Sequence, residues 1–128
     1  IQAIARGEKD NLQPSSGKCC GEGNVLLGQK ATASSEESSK QNFANRAVDG
    51  DARTRWCNNG GGSGAWLQID LPKPTRVSSL RIHWEQEAAY SYRIEGQVSG
   101  KEWKTIIEQK GNKKVERIVS HTIEPMDL

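Results

Sequence analysis

From residue 65 onward, apolar and polar positions alternate with the period of a β-strand. In residues 65–71, Trp66, Gln68 and Asp70 fall on one face, and Leu67, Ile69 and Leu71 on the other. Pro72-Lys73-Pro74 stops that run. Residues 76–85 hold a second strand, with Val77 and the series Leu80, Ile82, Trp84 in alternation. Residues 90–98 give a third, in which Tyr92, Ile94 and Gly96 share a face. Ser99-Gly100-Lys101-Glu102 predicts a hairpin turn, residues 103–108 a fourth strand, 110–113 another turn and 115–123 a fifth strand. No stretch shows a convincing amphipathic helix, and closely spaced strands with frequent turns predict an all-β sandwich.

The first half is less regular. Residues 1–23 are mixed: 1–6 suit the end of a preceding element, while 8–23 are polar, with Pro14, Ser15, Ser16 and several Gly, and the stretch reads as a linker or extended arm. The domain proper begins at Asn24-Val25-Leu26-Leu27 and runs through residues 24–128. A short small-residue segment, 32–35, precedes a polar loop, and residues 43–48 suit a short helical turn.

That turn leads into residues 46–56, around which the rest of the chain is arranged. Asp49-Gly50-Asp51 cannot comfortably continue a helix or a central strand. Glycine permits a positive φ, and aspartates bond back to nearby amides. The turn therefore gathers carboxylate, carbonyl and hydroxyl oxygens, the donor set of a hard cation such as Ca²⁺, and it equally suits an Asx-turn without metal. It lacks the acidic spacing of an EF-hand loop. Residues 58–64, Asn-Asn-Gly-Gly-Gly-Ser-Gly, form a flexible loop, suited either to binding or to a plain hairpin tip. The loop has no Lys-Ser or Lys-Thr pair and no helix after it, so it is not a phosphate loop.

Composition narrows the picture. A chain of 128 residues builds one core, not two. Aromatics are 5% of the chain, and Trp supplies four of them, so the core is a thin layer between sheets. The balance of 18 basic and 16 acidic residues, net +2, gives no footprint for nucleic acid. The densest basic cluster, Lys110, Lys113, Lys114 and Arg117, is interrupted by Glu116 and reads as a solvated hairpin face. No apolar run is long enough to span a bilayer. The chain does not begin with Met and reads as a piece of a longer polypeptide. Adjacent Cys19 and Cys20 do not favour a bond with each other, because a vicinal disulfide is strained. A bridge from one of them to Cys57 would imply an oxidising compartment. A zinc site would need His83 or His121, which lack ligand spacing, and reduced thiols are the third option.

Several ordered blocks now stand together: Asn24-Val25-Leu26-Leu27, Ala31-Thr32-Ala33-Ser34-Ser35, Ala47-Val48-Asp49-Gly50-Asp51, Thr54-Arg55-Trp56, Trp66-Leu67-Gln68-Ile69-Asp70-Leu71, Trp84-Glu85, Tyr92-Arg93-Ile94-Glu95 and Ser99-Gly100-Lys101-Glu102-Trp103. Their order resembles the coagulation factor 5/8 type C (discoidin) family, in particular its bacterial galactose-binding-like carbohydrate-binding modules. The resemblance implies an eight-stranded jelly-roll β-sandwich with ligand loops at one end. It also implies a structural Ca²⁺ on the central turn. The ligands carried over are the Arg46 carbonyl, an Asp49 carboxylate oxygen, the Asp51 carbonyl, and the Thr54 hydroxyl and carbonyl. In the family a further Glu follows a last strand, which this chain, ending at Leu128, is expected to lack.

The implied function is a non-catalytic carbohydrate-binding module for galactose-type or related glycans. It would be appended to a larger glycan-processing enzyme that is secreted or extracellular, in the periplasm or at the cell surface if bacterial. Sugar recognition needs polar groups for hydroxyls and an aromatic face for C–H bonds. The candidates are Glu36, Asn42, Asn58, Asn59 and Glu85, with Tyr90 for stacking. Trp56, Trp66 and Trp103 lie in the shared blocks and are expected in the core, as is Trp84. The alternative is a protein-interaction or surface-anchoring module without a sugar ligand. Membrane insertion is not expected, because the loops are built of Gly, Asn and Ser rather than apolar spikes. Independent catalysis is not expected either. Asp49 and Asp51 are accounted for by the turn, and no Ser/His/Asp or Cys/His grouping is present.

Overall fold

The computed structural model of the chain describes residues 23–60, 64–98 and 101–128, and the backbone of residues 2–6. Seven strands are found among the described residues: β1 Gln2–Arg6, β2 Lys30–Ala33, β3 Leu67–Asp70, β4 Arg76–Ala88, β5 Tyr92–Gly96, β6 Lys104–Gln109 and β7 Glu116–Asp127. The only helical pieces among these residues are two 3-10 turns, Ser38–Lys40 and Ala44–Ala47, the second falling on the predicted helical turn. The sheets run β1-β4-β7, β2-β3 and β5-β6, and every pairing is antiparallel. The chain is therefore all-β, and seven of its strands lie among the described residues.

The alternating run in the middle of the sequence becomes β4, the central strand of the largest sheet. It pairs with β1 at its start, Ala5 lying opposite Leu80. On its other side β7 sets His121 opposite Leu80 and Val119 opposite Ile82. The β4–β7 register shifts between Val77 and Ser79, whose partners are Met126 and Thr122. The intervening residues of β7 include Pro125, which has no N–H to give a ladder. An edge strand at an irregularity is where such a residue is tolerated. A second shift separates His83 from Ala88 and carries Trp84 and Glu85 off the regular ladder.

Two small clusters make the core. In one, Val77 and Ile123 are buried beneath Leu80, Ile106, Ile107, Met126 and Leu128, which joins the β4–β7 sheet to β6. In the other, Ala44, Ala47 and Trp56 pack against Ala31, Ala33 and Leu67. The residues are small, as a thin inter-sheet layer requires. Close packing also explains Gly96. A Cβ there would lie 2.5 Å from a Leu128 methyl and 2.7 Å from an Ile106 methyl, so a larger residue would have to push these side-chain ends aside.

Trp66 and Trp103 correct the sequence expectation. They are 51% and 47% exposed, whereas Trp56 is 6% exposed. Trp66 stands one residue before β3, and its backbone N–H and C=O bond to the Ser34 hydroxyl and amide. The sheet therefore fixes its main chain and leaves the indole outside. Trp103 similarly precedes β6 rather than belonging to it.

Candidate functional site

The central turn is locked by its own side chains. Gly50 takes φ +77°, the left-handed conformation expected of it. Asp49 Oδ1 accepts from the Asp51 amide at 2.9 Å, and Asp49 Oδ2 accepts from the Thr54 hydroxyl at 2.5 Å. That hydroxyl also reaches the Asp51 carbonyl at 3.0 Å. Asp51 turns its carboxylate to Arg53, accepting from the backbone amide at 2.9 Å and from the guanidinium at 3.0 Å. The Arg53 side-chain bond, then its backbone bond, lowers the Asp51 pKa to about 2. Arg46 places a guanidinium nitrogen 3.9 Å from Asp49 Oδ2. One carboxylate oxygen, one hydroxyl and one carbonyl thus converge from Asp49, Thr54 and Asp51. That donor set fits a hard cation. The Asp51 carboxylate, held by Arg53, is not part of it.

Past the turn, Trp56 enters the core, and its indole N–H donates to the Ser35 carbonyl at 3.0 Å. The next residue ties two loops together. Cys57 N–H donates to Asn42 O at 3.2 Å, and Glu37 N–H donates to Cys57 O at 2.9 Å. Cys57 carries a free thiol, which bonds to the Asn58 carbonyl at 3.5 Å. Burial, with the Glu37 carboxylate beside it, pushes this thiol up. Conversely the thiol, with Lys40, holds the Glu37 carboxyl below its usual range. Cys19 and Cys20, the expected bridging partners, lie outside the described residues.

The sequence-predicted binding residues divide into two groups. Glu36 turns inward: its Oε2 accepts from the Ala44 amide at 2.6 Å, at the start of the 3-10 turn. Asn58 is spent on its own loop, accepting from the Ser34 and Ser35 hydroxyls and donating to the Gly60 carbonyl at 3.2 Å. Asn59 is exposed and uses its amide on the Ser35 hydroxyl at 2.9 Å. Asn42 is half-buried and closes the bridge to Glu37.

Glu85 and Tyr90 form the second group. Glu85 follows Trp84 on the irregular end of β4 and pairs with Arg55 Nη1 at 3.2 Å, which connects the 55–60 loop to this strand. Tyr90 lies flat on Trp84, ring centroids 4.1 Å apart and planes 10° apart. Trp84 meets Tyr92 at 5.3 Å and 54°, and Tyr92 meets His121 edge-on at 6.0 Å. An aromatic row thus runs from the connection at residues 89–91, through the end of β4 and β5, to β7. Arg55, the stacking of Trp84 on Tyr90 and the contact of Tyr92 with Trp84 escaped the sequence reading. The spacing of Trp84, Tyr90 and Tyr92 shows that three rings lie near one strand end, but only the irregular end of β4 stacks them.

No group of three or more acidic, His or Cys side chains able to hold a metal occurs among the described residues. The site described on the central turn has a single carboxylate and otherwise neutral oxygens, which such a grouping does not capture.

Comparison with known proteins agrees with this architecture. No curated protein matches the chain. Two solved structures do. Chitosan-binding module 2 of a chitosanase/glucanase from Paenibacillus sp. IK-5, in complex with chitotriose, is 26% identical; the match has a TM-score of 0.66 and covers 81% of this chain and 80% of that one. Chitosan-binding module 1 of the same enzyme is 28% identical, also with a TM-score of 0.66, over 80% and 78%. The model of the F5/8 type C domain matches residues 30–127, from the first residue of β2 to the last of β7. With more than half of its length matched by that model, the chain belongs to the F5/8 type C domain family.

Proposed function

We propose that the chain is a non-catalytic glycan-binding module appended to a glycan-processing enzyme and working outside the cell. One observation carries this reading: the same irregular end of β4 holds the Tyr90–Trp84 stack, through Trp84, and the Arg55–Glu85 pair, through the next residue. A flat aromatic face meets the C–H side of a pyranose, and a carboxylate with a guanidinium beside it meets hydroxyl or amino groups. The similarity to modules that bind chitosan supports an amino-sugar oligomer, whose ammonium groups suit Glu85. Galactose-type glycans form the comparison ligand. Glu36 and Asn58 shape the neighbouring loops, and Asn42 and Asn59 line their rim. The convergent oxygens of Asp49, Asp51 and Thr54, with the Arg46 carbonyl, would hold a structural Ca²⁺ that fixes the turn beneath these loops. Nothing in the site pairs two carboxylates across a cleft as glycosidic hydrolysis demands.

Calorimetric titration with glucosamine oligomers and galactosides tests the proposal. Tyr90→Ala should weaken binding about tenfold or more, a loss of roughly 1.4 kcal/mol or above, with the thermal midpoint little changed. A wild-type chain that binds no glycan in either series refutes it. The exposed indoles of Trp66 and Trp103 favour the second reading, an anchoring module for a protein surface, if that is the outcome.

A further inference from the structure

Beyond the loop-end platform, between β5–β6 and β7, lies a groove of about 400 Å³. That volume is within the roughly 300–1,000 Å³ of small-ligand sites. Tyr92, Gln109, Asn112, Glu116, Ile118 and His121 are among its walls. Its polar groups are oriented before any ligand arrives. Tyr92 Oη lies 2.6 Å from His121 Nε2. Glu116 pairs with Lys114 Nζ at 2.8 Å. Asn112 Oδ1 accepts from the Lys114 amide at 3.0 Å. Among them Ile118 is 55% exposed, an apolar spot in a polar surround.

The chemistry of these walls selects among ligand classes. A phosphate-bearing ligand would meet the Glu116 carboxylate. A lipid chain would find one exposed aliphatic residue and otherwise donors and acceptors. A sugar ring presents C–H bonds on its face and hydroxyls around its edge, which matches an isoleucine bordered by amides, a phenol, an imidazole and a carboxylate.

The groove is also continuous with the loop-end platform. Asn112 Nδ2 donates to the Tyr90 carbonyl at 3.1 Å, and the row Tyr90–Trp84–Tyr92–His121 leads from one to the other. We propose that the groove is a second subsite, which takes the third and later rings of an oligosaccharide whose first two rings lie at the Tyr90 platform. This inference rests on the glycan-binding reading above. It makes binding depend on oligomer length.

Calorimetric titration of glucosamine oligomers of two and of five rings tests it on the wild-type chain, on a Ser120→Trp variant, which fills the groove from its β7 wall, and on the milder Gln109→Ala. The wild type should bind the longer oligomer about tenfold more tightly. Ser120→Trp should keep the two-ring affinity within about twofold and lose the gain with length. Gln109→Ala should lose part of that gain. An equal affinity for both lengths in the wild type, or a gain unchanged in both variants, overturns the second subsite while leaving the first intact. Silence of the wild type toward both oligomers removes the glycan reading and this one together.

Discussion

Trp56 and Trp66 carry the same side chain, and neighbouring sequence gives each the look of a core residue. One is 6% exposed and bonded to Ser35, while the other is 51% exposed beside Ser34. Their energetic weights should differ accordingly. Trp56→Ala opens a cavity against Ala44, Ala47 and Leu67 and should cost about 3–5 kcal/mol. Trp66→Ala should stay within about 0.5 kcal/mol. Urea denaturation of the two variants decides between this and the expectation drawn from sequence, in which both lose stability alike. The difference was not legible because the alternating run begins at residue 65, while the ladder of β3 begins only at Leu67 and leaves Trp66 just outside it. Glu36 teaches the same lesson in reverse. Its polarity suggested an outward group, yet a free amide at the head of a 3-10 turn claimed its carboxylate.

Among the elements, the turn at residues 46–56 was the most legible, because its conformation is set by neighbours in the chain. Asp-Gly-Asp followed by Thr contains the donors, the acceptors and the positive φ that the turn uses. The strands of the second half were nearly as legible, since each alternates over its own length. What local sequence could not supply was the extent of β4 and β7, which run to Ala88 and Asp127 because each continues as long as the other is beside it. The turn yields a prediction at its own scale. Asp49→Ala removes the acceptor for the Thr54 hydroxyl and the Asp51 amide and should cost about 1 kcal/mol in the absence of metal. If Ca²⁺ occupies the turn, a chelator lowers the thermal midpoint of the wild type and leaves that of Asp49→Ala unmoved. A wild-type midpoint indifferent to both chelator and added calcium sinks the metal assignment and spares the turn.

Across the whole molecule, proton balance couples the sheets to pH. His83 lies in β4, opposite Ile118 of β7, with a buried Nε2 that has no hydrogen-bond partner among the described residues. Burial, and then Arg81 and Arg117, lower its pKa from the ordinary 6.5. His121 is lowered by burial as well. A lowered folded pKa means that the unfolded chain takes up protons first. The stability these histidines contribute is complete above about 6.5 and is lost as pH falls through their folded values. The unfolding free energy should therefore decline from pH 7 to pH 5. His83→Leu should flatten that decline. A slope unchanged in the variant would mean that other groups set it. The overall architecture was legible as a sandwich, but the pairing of Glu85 with Arg55 was not, because it joins two segments that only the folded sheet brings together.

The aromatic row has a thermodynamic consequence. Tyr90 rests on Trp84, Trp84 leans on Tyr92, and Tyr92 is tied to His121, so each ring's rotamer is settled by the next one inward. Fixing a free side chain at an interface costs about 0.5–1.5 kcal/mol of rotational entropy when a ligand arrives. Here that ordering belongs to folding, and an oligosaccharide meets a surface whose disorder has already been removed.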